Sequence, residues 1–167
     1  MKLLFMRHAD AASRQEAGVS YDRERPITEL GREQTADVAE FLQKTGISPG
    51  TILHSPALRC TQTAAIIAQA FDRGEKIFPA PELAGGCGAE DILNTALIYG
   101  DVAGWILFVL HEPDLSFLLA TWVGDGKSSP FFVQHADLFG FHCLDHDRAT
   151  FDPILFFSPS RVKFCLT

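Results

Sequence analysis

The sequence lacks three features that would each indicate a class of protein: a long hydrophobic run, a paired-cysteine motif and an excess of basic residues. Its longest apolar runs, WILFVL and FLLATWV, are far shorter than the roughly 18 residues of a membrane span. The first residues contain one lysine and an apolar run that stops at Arg7, so there is neither a complete signal-peptide core nor a cleavage site. These absences predict a cytoplasmic protein with no membrane partner.

Cysteines and basic residues are both sparse. The four cysteines, Cys60, Cys87, Cys143 and Cys165, show no C-x-x-C spacing, which predicts reduced thiols rather than a disulfide framework. The formal net charge is -7 at pH 7, whereas nucleic-acid-binding surfaces are usually basic. We therefore predict no nucleic-acid partner, and we expect any anion-binding site to be a local cluster of basic side chains.

The length and composition are those of a globular domain. Of the 167 residues, 47% are hydrophobic and 21% are charged, a balance that differs from that of disordered chains. A chain of this length buries about two-thirds of the surface that it exposes when unfolded, which allows a large core. Because no repeat, low-complexity segment or linker interrupts the sequence, we predict one domain that spans residues 1–167.

Apolar runs typical of strands alternate along the chain with amphipathic segments typical of helices. Strands are predicted at residues 2–6, 51–54, 77–78 and 105–110, and two more form a hairpin within residues 138–157. Helices are predicted at residues 28–44, 89–99 and about 113–123, with Thr28 as the N-cap of the first. A further helix is predicted to begin at an N-cap, Ser55, with Pro56 at its first position, and to close at Gly74.

This order of elements predicts an α/β fold of three layers. Parallel neighbouring strands need crossover connections, so we expect a mostly parallel central sheet with helices on both faces and a C-terminal β-hairpin. Ligands in such sheets bind beyond the carboxyl ends of the strands. Three of the predicted strands end in polar signatures, which should meet at one rim: Arg7-His8, the stretch 55–59, and His111-Glu112-Pro113.

Two arginines and two histidines at one rim indicate chemistry on a phosphoryl group. Guanidinium groups match phosphoryl oxygens two at a time, which suits Arg7 and Arg59, and Arg59 also lies near the start of a helix. A neutral imidazole can form a covalent phosphohistidine, and His8 beside Arg7 is the better candidate nucleophile. His111 would donate a hydrogen bond to the phosphoryl oxygens. This chemistry requires no metal.

Four stretches together resemble the histidine phosphatase superfamily, the phosphoglycerate-mutase-like phosphatases. They are Arg7-His8, RPITELGREQT from Arg25 to Thr35, SPALRCTQTA from Ser55 to Ala64, and HEPDLS from His111 to Ser116. Their order and spacing over residues 1–123 are similar to those of the short SixA-type phosphohistidine phosphatases. The resemblance implies a phosphoglycerate-mutase-like fold and a metal-independent phosphatase without a cofactor.

The resemblance also implies a role for each matching residue. His8 would be the phosphorylated nucleophile, Arg7 and Arg59 would hold the phosphate, and His111 would complete the pocket. In this family the general acid is a carboxylate that follows the third strand. Glu82 in PAPELAGG is the nearest match to that carboxylate, and Asp10 is the alternative.

The sequence departs from the family pattern at two places. Ala9 stands where the superfamily usually has glycine after the Arg-His pair, which makes a positive φ less available there. Larger relatives carry a helical lid where this chain has only AGGCGAED, so we expect a shallow, open pocket. An open pocket favours phosphohistidine in a signalling or carrier protein as the substrate. The alternatives are a small phosphate ester as substrate and a non-catalytic phosphate-binding module.

Several other polar residues are expected to have no direct catalytic role. His54 is predicted to be a satisfied strand histidine, His135 a surface residue, and Glu112 a residue that faces the rim. The GGCG stretch lacks a nucleotide-binding pattern and is predicted to be a flexible loop. A metal site is not expected from residues 142–146, because hairpin alternation places their histidines and cysteine on mixed faces.

Overall fold

The computed structural model of the protein describes residues 1–99, 104–124, 126–127, 132–145 and 150–161. Within these ranges one six-stranded sheet has the order β3-β2-β4-β1-β5-β6. The strands are β1 (Lys2–Arg7), β2 (Pro49–His54), β3 (Ile77–Pro79), β4 (Trp105–Leu110), β5 (Leu138–Asp145) and β6 (Thr150–Phe157). The helices are α1 (Arg14–Ala17), α2 (Glu29–Lys44), α3 (Leu58–Ala70), α4 (Ala89–Tyr99) and α5 (Asp114–Val123), with 3₁₀ turns at Asp22–Glu24 and Pro81–Leu83.

The sheet is parallel on one side of β1 and antiparallel on the other. Strand β1 pairs in parallel with β4, and its last residue Arg7 lies opposite Leu110. On its other side β1 pairs antiparallel with β5, where Met6 lies opposite Leu138. The carboxyl ends of β1 and β4 therefore share one rim of the sheet with the amino end of β5.

Each face of the sheet carries a hydrophobic core, and successive residues of β1 alternate between the two. Leu3 and Phe5 point into one core, which α4 and α5 cover. Leu4 and Met6 point into the other core, which α2 and α3 cover. The predicted three-layer α/β/α architecture with its C-terminal hairpin is thus confirmed. No helix within the described ranges is long and apolar enough to cross a membrane.

The bounds of α4 and β4 agree with the predicted ones, and Thr28 caps α2 as predicted, its hydroxyl accepting a hydrogen bond from the Gly31 amide. The prediction that Ser55 caps the next helix is wrong. The Ser55 amide instead donates to the Val109 carbonyl at 3.1 Å, so the chain stays extended beyond β2 and Ala57 becomes the N-cap of α3.

The other end of α3 also differs from the prediction. The helix ends at Ala70 rather than at Gly74, because Asp72 adopts a left-handed conformation with φ of 53°. Strands β5 and β6 agree with the predicted hairpin, whose connecting residues 146–149 lie outside the described residues. Cys60, Cys87 and Cys143 are buried thiols that form no disulfide within the described ranges, and Cys165 lies outside the described residues.

Helix α2 is fixed closely against the loop that follows β1. The Asp10 carbonyl accepts a hydrogen bond from the Thr28 amide at 3.0 Å, and the Asp10 amide donates to Gln34 Oε1 at 3.0 Å. Gly31 lies so near this loop that a Cβ atom there would overlap the Asp10 carbonyl oxygen. The glycine therefore permits the contact that holds the loop directly after His8.

We expect Gly31→Ala to lower the free energy of unfolding by about 2 kcal/mol, because its methyl group would push the loop backbone away. Helix propensity alone would give the opposite sign, since alanine is favoured over glycine in a helix by about 1 kcal/mol. Urea unfolding measures the difference. Gly74→Ala is the control, because a Cβ there meets no atom within 4 Å. An unchanged or higher stability of Gly31→Ala would contradict the close approach.

Candidate active site

The polar segments that follow β1, β2 and β4 lie side by side at the rim, as predicted. Hydrogen bonds of the sheet continue past the strand ends, because the His8 amide donates to the Leu110 carbonyl at 3.0 Å. Arg59 follows in the first turn of α3. The structure therefore brings together Arg7, His8, Arg59 and His111.

His8 is held as one tautomer of a neutral imidazole. The residue is 5% exposed, and its Nδ1 lies 2.8 Å from the Ala9 carbonyl oxygen, which can only accept. The proton is therefore on Nδ1, and the lone pair of Nε2 accepts a hydrogen bond from Arg59 Nε at 3.1 Å. Burial, together with the charge of Arg59, lowers the pKa of His8 to about 2. At neutral pH, Nε2 is thus an unprotonated nitrogen that can act as a nucleophile.

Arg59 lies between the two histidines and uses both sides of its guanidinium group. On one side, Nε contacts His8 and Nη2 lies 3.2 Å from His111 Nδ1. On the other side, Nη1 donates to the Asp22 carbonyl at 2.9 Å, and Nη2 lies 3.0 Å from the Asp22 carboxylate. The side chain is only 9% exposed, so these contacts fix the direction of its charge.

His111 is also neutral, with the opposite tautomer. Because arginine can only donate, His111 Nδ1 accepts from Arg59, and the proton is on Nε2. This Nε2 lies 2.6 Å from the Ser55 hydroxyl, which accepts from it. Burial lowers the pKa of His111 to about 4, with a further contribution from the charge of Arg59. His111 therefore carries a hydrogen-bond donor at neutral pH without carrying a charge.

Arg7 precedes His8 in the chain and contacts other residues than Arg59 does. Its Nη1 donates to the Val133 carbonyl at 2.9 Å, and its Nη2 lies 3.1 Å from His135 Nε2. Its Nε is buried and has no hydrogen-bond partner among the described residues. A buried donor of this kind is normally satisfied by a ligand or water, so Arg7 retains capacity for an anion.

The other candidate carboxylates are less closely connected to the two buried histidines. Glu82 is exposed in the turn after the edge strand β3, and no hydrogen bond or ion pair joins it to the site within the described ranges. Asp10 accepts a hydrogen bond from the Thr28 hydroxyl at 2.6 Å. Glu112 follows His111, and its buried Oε1 has no partner among the described residues.

Cys60 contacts His111 but is not suited to act as a nucleophile. Its Sγ lies 3.6 Å from His111 Nε2, but burial raises the pKa of this thiol to about 12. The thiolate is the reactive form of cysteine. At neutral pH, Cys60 is therefore a neutral thiol that packs against His111.

The structure describes both places where the sequence departs from the family pattern. Ala9 is fully buried and its φ is not positive, so this backbone position does not require glycine. The flexibility of the glycine-rich loop stays a prediction, but the structure shows where one of its amides donates. The buried Asp114 carboxylate accepts from the Gly86 amide at 2.9 and 3.0 Å, which anchors the loop and uses the amide that a phosphate would otherwise bind.

Two residues of the site were missed by sequence reasoning. His135 is one-third exposed, as a surface residue can be, but sequence reasoning did not place it in the site, where its ring centroid lies 5.4 Å from that of His8. The signal was present in β5: an antiparallel strand beside β1 must begin where β1 ends. Asp22 lies in none of the four motifs. The signal that could have found it is Arg25, which begins the motif from Arg25 to Thr35 and forms an ion pair with Asp22 at 2.8 Å.

The remaining histidine predictions are consistent with the structure. His54 is buried, and its Nδ1 lies 2.8 Å from the Ser55 carbonyl, so it is a satisfied strand histidine. His142 is exposed whereas Cys143 is buried, which places them on different faces of β5. In the part of the chain that the structure describes, no three His, Cys, Asp or Glu side chains are grouped as metal ligands.

The sequence is similar to a known family and to two known proteins. The histidine phosphatase superfamily (branch 1) matches residues 3–84. An uncharacterized protein of Picosynechococcus sp. is 35% identical over 122 residues, which are 69% of this chain and 68% of that protein. The phosphohistidine phosphatase SixA of Escherichia coli is 28% identical over 138 residues, which are 81% of this chain and 82% of SixA.

The fold agrees with a solved structure over nearly its whole length. The structure of the protein histidine phosphatase SixA complexed with tungstate has a TM-score of 0.80 and 21% identity, and the match covers 97% of this chain and 99% of SixA. The chain belongs to the histidine phosphatase superfamily.

The neutral histidines make stability depend on pH. Unfolded histidine has an ordinary pKa of 6.5, whereas His111 titrates at about 4 when folded, so the unfolded chain binds more protons between these values. The stability that this site contributes is present above pH 6.5 and is lost as the pH falls toward 4. We expect the free energy of unfolding to fall by up to about 1.4 kcal/mol per pH unit for each such histidine.

Urea unfolding across this pH range measures the slope. His111→Gln should remove one histidine's share, and His8→Gln offers a second variant if that one does not fold. The control is His142→Gln on the exposed part of β5, which should leave the slope unchanged. A slope that neither site variant alters would show that these imidazoles are not held neutral.

Proposed function

We propose that the chain is a phosphatase that removes a phosphoryl group from phosphohistidine in another protein, through a phosphohistidine intermediate on His8. The observation that carries this proposal is the unprotonated His8 Nε2, which lies 3.1 Å from Arg59 Nε in a buried site. Nucleophile and positive charge are thus already in place. No cofactor or metal takes part in the proposed reaction.

In the first step, the lone pair of His8 Nε2 attacks phosphorus and a new P–N bond forms. The bond between phosphorus and the leaving nitrogen breaks, and the leaving imidazole takes the electron pair. It departs neutral without a further proton, because the protonated phosphohistidine substrate already carries a proton on its other ring nitrogen, whereas a leaving oxygen would need a proton from a general acid. In the second step, water attacks the phosphorus of phospho-His8, and Nε2 departs with the electron pair of the P–N bond. The products are inorganic phosphate and the free imidazole.

The arginines would bind the transferred group throughout both steps. A phosphoryl group on His8 Nε2 would bring its oxygens to Arg59 Nε and Nη2, the donors that face the two histidines in the free site. Arg7 would supply its unpartnered Nε and also its Nη2, which contacts His135 in the structure. One close charge pair contributes roughly 4 kcal/mol at an effective dielectric constant near 20, before desolvation.

His111 would act on the same oxygens as a neutral donor. Its Nε2–H faces the Ser55 hydroxyl in the free site, so a phosphoryl oxygen would compete with that hydroxyl for the proton. A neutral N–H that exchanges the hydroxyl for a phosphoryl oxygen would stabilise the negative charge that develops on that oxygen. We therefore assign His111 to stabilisation of the transferred group and not to proton transfer.

The weak provision of a general acid supports phosphohistidine as the substrate. Imidazole leaves readily from protonated phosphohistidine, whereas an alcohol must be protonated as its bond to phosphorus breaks. Glu82 is exposed, and Asp10 is engaged with Thr28. The similarity to SixA of Escherichia coli, a phosphohistidine phosphatase by name, supports the same substrate class. A cytoplasmic location stays a prediction.

The experiment compares kcat/KM for one preparation on a phosphohistidine protein and on a panel of small phosphomonoesters. We expect the phosphohistidine protein to be preferred by more than about 100-fold, since general acid catalysis contributes about 10² to 10⁴ in rate. Glu82→Gln should slow monoester hydrolysis by at least about tenfold and change phosphohistidine hydrolysis by less than about twofold.

Two controls accompany this comparison. His8→Ala should abolish turnover of both substrates, and Glu90→Gln removes an exposed carboxylate from α4 and should change neither rate. A small monoester that is hydrolysed faster than every phosphohistidine protein tried, with both classes slowed equally by Glu82→Gln, would replace this substrate by a small phosphate ester. Absence of turnover on both classes would favour a non-catalytic phosphate-binding module.

A further inference from the structure

We propose that His135 belongs to the phosphoryl-binding site, where it holds Arg7 in the free site and takes up a proton when a phosphoryl dianion binds. The inference rests on the proposed function, because it requires Arg7 to bind the phosphoryl group. It adds a third imidazole to the two that the sequence motifs contain.

Three contacts define the state of His135 in the free site. Its Nε2 lies 3.1 Å from Arg7 Nη2, and since arginine can only donate, Nε2 is the acceptor. A neutral ring then carries its proton on Nδ1, which faces Asp10 Oδ1 at 3.4 Å. Asp10 is itself fixed through Oδ2 by the Thr28 hydroxyl. His135 therefore connects a fixed carboxylate to the arginine beside the nucleophile.

The turn that presents His135 is strained and closely attached to β1. Ala136 has a φ of 61°, a conformation that residues with a side chain rarely adopt, and it is fully buried. Its amide donates to the Arg7 carbonyl at 3.2 Å, and the Arg7 amide donates to the Asp137 carbonyl at 3.1 Å. These two hydrogen bonds hold Ala136 in its unfavourable conformation, and they fix the position of His135 beside Arg7.

In the free site, the surroundings of His135 oppose its protonation. Burial lowers its pKa, the charge of Arg7 lowers it further, and the Asp10 carboxylate partly offsets both. The titratable and charged groups that bear on it come from β1, the loop after β1, the segment before α2, and α3. They are Arg7, His8, Asp10, Arg25 and Arg59.

A bound dianion would reverse this balance. Its charge offsets the arginines, and once Arg7 Nη2 turns toward a phosphoryl oxygen, His135 Nε2 loses the donor that it accepts from. The ring can then take a proton from solvent, because its side chain is 34% exposed. His8 and His111 are only 5% and 6% exposed, and Arg59 donates to both. Protonated His135 would donate its Nε2–H to the bound oxygen.

Titration calorimetry with tungstate, in several buffers of different ionisation enthalpy near pH 7.5, measures proton uptake directly. Tungstate is a dianion at this pH and does not exchange protons itself, so any uptake belongs to the protein. We expect wild type to take up a fraction of one proton per tungstate bound. His135→Gln keeps an acceptor for Arg7 but cannot be protonated, so it should bind tungstate with most of this uptake removed.

One further variant separates the positioning of Arg7 from the protonation of His135, and a second variant is the control. His135→Ala removes the acceptor of Arg7 as well, and it should bind tungstate about tenfold more weakly than His135→Gln. His142→Gln, an exposed histidine of β5, is the control and should match wild type in affinity and uptake.

The possible outcomes separate this inference from the proposed function. Tungstate binding without proton uptake, or with the same uptake in His135→Gln, would overturn the role of His135 and leave the phosphatase proposal standing. Equal affinity of His135→Ala and wild type would overturn its positioning of Arg7. Absence of tungstate binding to wild type would contradict the phosphoryl site itself, and this inference with it.

Discussion

The hydrogen bond from Arg59 Nε to His8 Nε2 is the interaction on which the site depends. Because a guanidinium group can only donate, the bond requires an unprotonated Nε2, and the Ala9 carbonyl requires a proton on Nδ1. Together the two contacts select one tautomer and one nucleophilic nitrogen. Burial adds to this selection by keeping the ring neutral at physiological pH.

Each arginine of the site is connected to a carboxylate, either directly or through a histidine. Asp22 accepts from Arg59 and also pairs with Arg25, while Asp10 acts on Arg7 through His135. A buried guanidinium group without such partners would be strongly destabilising. Although the formal net charge of the chain is -7, two arginines can thus lie close to the same histidine.

The strands, most of the helices and the motif residues of the site could be predicted from the sequence, because they depend on local residue patterns. Buried strands with polar ends placed Arg7, His8 and His111 at one rim, because parallel strands share a carboxyl edge. His135 was missed because its position depends on the register of β5 against β1, a pairing between distant parts of the chain. Ser55 was assigned as a helix cap by a local rule, but its amide extends the sheet and its hydroxyl is committed to His111.

The most direct test of this account is the chemical position of the phosphoryl group in the trapped intermediate. Rapid quenching with labelled substrate, followed by phosphorus NMR of the denatured protein, identifies the modified nitrogen. We expect an acid-labile, alkali-stable adduct on Nε2 of His8 that is absent from His8→Ala. Label on Nδ1, on a cysteine, or still present in His8→Ala would contradict the assignment of Nε2 as the nucleophile.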